Sequence, residues 1–136
     1  MNISVSQAQG NVPVTIIKLD GQLDGQTFQQ LITKAQELYK EGRRDFLLDL
    51  SDLTYISSAG LVALHSVALL SRGEELPDTE GGWSAYRSMG RSSEAGMQRH
   101  VKLLNPRSEV MGVLDMVGFG NVFQVYTNLD EAVNSF

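Results

Sequence analysis

The segment Phe46-Leu47-Leu48-Asp49-Leu50 constrains this chain more than any other. An almost unbroken apolar run of that length is the mark of a strand covered on both faces, which is how strands of parallel sheets are buried. On each side of it the hydrophobic period changes to that of a helix. Upstream, Phe28, Leu31, Ile32, Ala35, Leu38 and Tyr39 fall at helical spacing, with Gln, Lys and Glu opposite. Asp24 reads as the N-cap of that helix and Gly42 as its C′ residue. Downstream, after a short connection, Ser58 to Leu70 reads as a second helix. Strands are expected at Ile3–Val5, Val12–Leu19, Val101–Leu104 and Val122–Tyr126, with a turn at Gly10-Asn11 and Gly21 ending the second strand. Asn105-Pro106 reads as a cap followed by proline at the first helical position. The helix after it carries Val110, Val113, Leu114 and Val117 and closes at Gly118. A short helix over Asn128–Ser135 is the last element. The order β-β-α-β-α-β-α-β-α predicts an α/β fold: one domain over residues 1–136, with a mostly parallel, mixed sheet of about five strands and about four helices.

One stretch falls outside this rhythm. Residues 72–100 are rich in Gly and Ser and lack a sustained apolar period. Long loops of that kind are functional or disordered. The segment is read as a flexible insertion, with a partner-contacting element as the other reading.

Composition narrows the function. At 136 residues the chain is long enough to bury an apolar core unaided. It has no cysteine, which removes disulfides, thiolate metal sites and thiol nucleophiles together. Two histidines, His65 and His100, are too few for a His-based metal cage and read as packing or surface residues. A net charge of −5 argues against nucleic acid and anionic membrane as partners. No apolar run reaches the ~20 residues of a membrane span, and MNISVSQAQGNV lacks the pattern of a signal peptide. The expectation is a soluble, cytoplasmic, acidic domain that carries no metal and no cofactor.

The informative motif runs from Asp49-Leu50 to Tyr55-Ile56-Ser57-Ser58-Ala59-Gly60-Leu61. A buried strand leads through a short loop to two serines where a helix must begin. Serine is a preferred N-cap because its hydroxyl accepts a hydrogen bond from the orphan amides of the first turn. Ala59 and Gly60 let that turn lie close to neighbouring backbone. An enzymatic reading has little to rest on. Ile56 stands where a Gly-x-Ser-x-Gly elbow needs its first glycine, and no Walker loop or Gly-x-Gly-x-x-Gly is present.

The same motif resembles the signature of the STAS domain, as found in anti-sigma factor antagonists. Gly21-Gln22-Leu23-Asp24 resembles that family's Gly-x-Leu-Asp before the first helix. Leu104-Asn105-Pro106, followed by Val110, Leu114 and Val117-Gly118-Phe119, resembles its strand-Asn-Pro-helix-Gly-aromatic stretch. The resemblance covers nearly the whole chain apart from residues 72–100. It implies a non-enzymatic partner-switching protein that binds an anti-sigma factor serine kinase, is phosphorylated at Ser58 and is reset by a serine phosphatase. The family often has Asp where this chain has Ser57, which leaves Ser57 as a second candidate acceptor. The expected partner-binding residues are Asp24, Ser57, Ser58, Ala59, Gly60 and Leu61. Asp24 keeps two roles, as a helix cap and as a neighbour of the Ser58 hydroxyl. The very apolar second helix also keeps two, burial or a docking face. A homodimer is left open. The alternative within the same family is a STAS-type module that binds a small ligand or serves as a structural subunit of a membrane lipid-transport complex.

Overall fold

The computed structural model describes residues 1–73 and 98–136. Five strands, β1 (Asn2–Gln9), β2 (Pro13–Leu23), β3 (Phe46–Ile56), β4 (Val101–Leu104) and β5 (Val125–Tyr126), form one sheet in the order β1-β2-β3-β4-β5. The first pair is antiparallel and the other three are parallel. Among the described residues the helices are α1 (Phe28–Lys40), α2 (Ser58–Ser71), α3 (Ser108–Met116) and α4 (Leu129–Asn134). The α/β class, the element order and the mixed sheet are those expected.

Parallel strands laid down in one direction, joined by crossovers of the usual right hand, receive their helices on a single face. The main core accordingly joins Ile17, Leu48 and Leu103 of the sheet to Leu31 of α1, Leu64 of α2 and Val110 of α3. The opposite face has a smaller core, in which Ala132 and Val133 of α4 cover Val14, Leu47 and Leu104. The run at Phe46–Leu50 is therefore covered on both faces, as its composition requires.

The α1 helix buries Leu31, Ile32, Ala35 and Leu38. It ends as its sequence indicates. Gly42 adopts φ 99°, and the amides of Gly42 and Arg43 return to the carbonyls of Tyr39 and Leu38 at 3.0 and 3.1 Å. This is a Schellman closure at a backbone angle that suits glycine. The α2 helix is different, since Gly60 to Leu69 are all buried. Its apolar residues from Leu61 to Leu69 are core, and Leu70 is partly buried against them.

Several boundaries differ from expectation. Gly21 does not end β2, which continues to Leu23, and β3 continues through Asp52, Leu53, Thr54 and Tyr55 to Ile56. The short loop expected before Ser58 is therefore strand. Here β3 has outrun β4, whose pairing stops at Asp49↔Leu104, and it pairs only with Asp20–Leu23 through two register shifts. A ribbon exposed on one side carries polar residues, which is why the stretch read as loop. Asp49, near the end of the apolar run, accepts from the Ser51 amide and hydroxyl at 3.1 and 2.7 Å.

Asn105 and Pro106 do not open α3. Asn105 sits at φ 50° with its amide on the Tyr126 carbonyl at 2.8 Å, and Arg107 precedes the first helical residue, Ser108. Val122 and Phe123 are not strand. The Phe123 amide closes on Phe119 at 2.9 Å, and their rings meet edge to face at 5.5 Å inside the core. Of the expected insertion at 72–100, residues 74–97 lie outside the described residues. Its last three residues belong to the domain. Gln98 is buried with its amide on Val122, and the His100 carbonyl accepts from Phe46 at 2.8 Å.

Candidate functional site

The site forms where β2 and β3 finish side by side. Leu23 pairs with Ile56, and the Ser57 amide makes one more rung by donating to the Leu23 carbonyl at 2.9 Å. Ser57 is extended (φ −98°, ψ 179°), and the chain enters α2 at the next residue. The Ser57 hydroxyl accepts from the Gly60 amide at 3.3 Å, and its carbonyl accepts from Leu61 at 3.0 Å. Ser57 is thus the N-cap.

Ser58 is the first helical residue and is exposed. Among the described residues its hydroxyl has no hydrogen-bond partner. The amides at the first two helical positions, Ser58 and Ala59, have no intrahelical acceptor and lie at the positive end of the helix dipole. The two serines therefore do separate work: one closes the helix, and the other presents a free hydroxyl above it.

Gly60 makes this tight junction sterically feasible. A Cβ there would lie 2.6 Å from both the Leu23 carbonyl oxygen and Ile56 Cγ1, and 3.0 Å from Leu23 Cγ. Only a hydrogen fits between α2 and the end of β2. Leu61 is 3% exposed and anchors the same turn in the core.

Asp24 follows Leu23 and so stands at the same end of the sheet. It does not cap α1, because Thr27 is the residue before that helix. Its Oδ1 accepts from the Gln26 and Thr27 amides at 2.9 and 3.2 Å, while the Thr27 hydroxyl donates to the Gln22 carbonyl at 2.8 Å. Asp24 holds its own turn, and no hydrogen bond joins it to Ser58.

All six expected site residues are thus brought to one end of the sheet. Gly60 and Leu61 are buried there, and Ser58 is the member most open to solvent. Sequence reasoning left out Tyr55, which is half exposed on the last turn of the ribbon. Thr54 and Tyr55 are both exposed between buried Leu53 and Ile56, because a register shift there breaks the strand alternation, which removed the signal.

His65, in the middle of α2, is 1% exposed. Burial, aided by the Arg72 charge, lowers its pKa to about 4. Nothing here pairs Ser58 with a base. Among the described residues no group of three His, Asp or Glu side chains could hold a metal ion, and no helix is long and apolar enough to cross a membrane.

Comparison with curated proteins gives no match. Solved structures do match. A Thermotoga maritima chain described as a candidate anti-sigma factor antagonist superposes with TM-score 0.64 at 18% identity, covering 96% of this chain and 90% of that one. An anti-sigma factor antagonist from Mycobacterium paratuberculosis gives 0.65 at 15% identity, covering 98% and 93%. The Bacillus cell fate determinant SpoIIAA, in its phosphorylated form, gives 0.56 at 17% identity, covering 98% and 97%. At these identities the likeness is one of fold. The family model described as "Mlab, STAS domain" matches residues 6–77, more than half of the sequence and the whole of the Ser57-Ser58 junction, and this chain belongs to the STAS domain family.

Proposed function

We propose that this protein is an anti-sigma factor antagonist that works by partner switching. It binds an anti-sigma factor serine kinase across the turn at Ser57–Leu61, with Asp24 at its border. Phosphorylation of Ser58 releases it, and a serine phosphatase restores binding. In this role the protein is a regulator and not an enzyme, and it works in the cytoplasm. One observation carries the reading: Ser58 is exposed and uncommitted at the first position of α2, while its neighbour supplies the cap. The similarity in fold to SpoIIAA, described in both phosphorylated and unphosphorylated forms, agrees with it.

The physics of such a switch is simple. A phosphate adds about −1.5 to −2 charges and three acceptor oxygens. On Ser58 it meets unpaired amides and a favourable dipole, so the fold tolerates it. A partner surface packed against a neutral hydroxyl does not, because an unpaired buried charge costs several kcal/mol. Binding switches while folding does not.

The test is phosphorylation by the cognate kinase with ATP, followed by mass spectrometry. Wild type and Ser57→Ala should be labelled, and Ser58→Ala should not. Label on Ser57 alone moves the acceptor by one residue. Ser58→Asp should weaken kinase binding at least about tenfold, or ~1.4 kcal/mol, in titration calorimetry. Equal binding by Ser58→Asp and wild type would end the switch reading. Recovery from cells with a permease in place of a kinase would favour the lipid-transport alternative.

A further inference from the structure

The opposite end of the sheet carries a second constellation, built around a lysine in an unexpected place. Lys102 lies in β4 and is 5% exposed. A buried ammonium must be solvated by the protein. Its Nζ donates to the Ser135 carbonyl at 2.8 Å and to the Ser135 hydroxyl at 3.0 Å. It also stands 4.7 Å from the centre of the Phe136 ring and 5.8 Å from that of Tyr126. These groups are all neutral. Among the described residues no carboxylate lies within ion-pair distance of Lys102 or of Arg99.

Both cations line an open cavity of about 430 Å³, beside His100, Gln124 and Phe136. That volume lies in the range of small-molecule sites. One acidic side chain, Asp45, also lines it, and its Oδ1 is already engaged by His100 Nδ1 at 2.7 Å. The ionised carboxylate only accepts, so that bond places the proton on Nδ1. The Oε1 of Gln124 accepts from the Tyr126 hydroxyl at 3.3 Å, which leaves the amide nitrogen as the side chain's donor. The wall therefore offers an ammonium, a guanidinium and an amide, with an aromatic face beside them. Donors of this kind suit an oxyanion.

We infer that this cavity binds a small organic anion, its carboxylate or phosphate held by Lys102 and Arg99 and its apolar part against Phe136. The site lies at the opposite end of β3 from Ser58, about 30 Å of strand away. It is independent of the switch.

The test uses the full chain, labelled with nitrogen-15, and follows its amide signals during separate titrations with AMP, citrate and inorganic phosphate. At least one of the three should produce saturable shifts at millimolar concentration in Gln98–Lys102 and Gln124, with Ser57–Gly60 unmoved. AMP or phosphate alone would identify a phosphate site, and citrate alone a carboxylate site. Arg99→Ala should weaken binding at least tenfold and leave the fold intact, since Arg99 is exposed and among the described residues its side chain has no hydrogen bond or ion pair. Adenosine, which lacks the anion, should bind at least tenfold more weakly than AMP where AMP binds. The inference is overturned if none of the anions gives saturable shifts or if the shifts map elsewhere. It is equally overturned if Arg99→Ala binds as wild type does, or if adenosine matches AMP.

Discussion

At the carboxyl end of β3 the geometry is set by backbone: Ser57 bonded to Leu23, Leu61 bonded to Ser57, and a glycine pressed against a carbonyl oxygen. At its amino end side-chain bonds are added to backbone ones such as Phe46 on His100, with Asp45 on His100 and Lys102 on Ser135. Both ends join residues far apart in the chain, Leu23 and Ser57 at 34 positions, Lys102 and Ser135 at 33 and Asp45 and His100 at 55. A backbone-built end is rigid, and on the proposed function it would accept a phosphate without rearrangement. A side-chain-built end can exchange internal partners for a ligand.

Among the substitutions the largest effect should come from Gly60→Ala. Its methyl group would sit 2.6 Å from a backbone oxygen that cannot turn away. Overpacking of this kind costs about 1–3 kcal/mol, and the upper end is expected where backbone must move. Urea unfolding reads it directly. A loss under ~0.5 kcal/mol would mean that the end of β2 gives way freely, and the contrast between a rigid end and an adaptable one would fail.

Acid comes next, acting through α2 between the two ends. His65 is neutral in the fold with a pKa of about 4, against 6.5 for the unfolded chain. Between those values the unfolded chain binds a proton that the folded one does not, so stability falls as pH falls from about 6.5 to 4 and levels off below. The full loss is about 3 kcal/mol at ~1.36 kcal/mol per unit. His65→Leu should flatten this part of the stability profile, whatever it does to the absolute value. An unchanged slope would show that His65 is protonated without penalty.

Lys102→Met probes the other end. It removes a charge-assisted pair of bonds and leaves the Ser135 carbonyl without its donor, a loss of about 1.5–3 kcal/mol. Because Ser135 follows α4 directly, hydrogen exchange should quicken in Leu129–Asn134 and not in α2. Uniform quickening would mean that Lys102 supports the whole fold and not the one helix.

How much of this was legible follows the same division. The helical face of Leu31, Ile32, Ala35 and Leu38, the Gly42 closure, the bounds of β4 and the serines at the head of α2 were all readable, because each depends on residues close in sequence. The ribbon at Asp52–Tyr55 was missed since its polar side faces water where β4 has stopped. Thr27 displaced Asp24 as the residue before α1 because the Asp24 carboxylate closes a tighter turn first. The cavity around Lys102 had no sequence signal. Asp45, Arg99, Lys102 and Gln124 share no period, and only the pairing of β3, β4 and β5 brings them to one wall.

The smallest expected difference is the one that separates the two serines. Ser57 is extended and its hydroxyl receives the Gly60 amide, so Ser57→Ala should cost about 1 kcal/mol, the usual loss for an N-cap. Ser58, the other serine that could have capped α2, is already helical and its hydroxyl holds nothing among the described residues. Ser58→Ala should therefore stay within ~0.5 kcal/mol, as surface substitutions do, and alanine's high helix propensity offsets part of even that. Ser58→Asp should be neutral or slightly stabilising, since an acidic group in the first turn meets the helix dipole for ~0.3–1 kcal/mol. Melting curves of the three variants rank them Ser57→Ala, Ser58→Ala, Ser58→Asp from least to most stable. On the proposed function, kinase binding should rank them differently, with Ser58→Asp the weakest. Were Ser58→Ala the variant that melts first, the cap would belong to Ser58, and its hydroxyl would not be free for transfer of a phosphate.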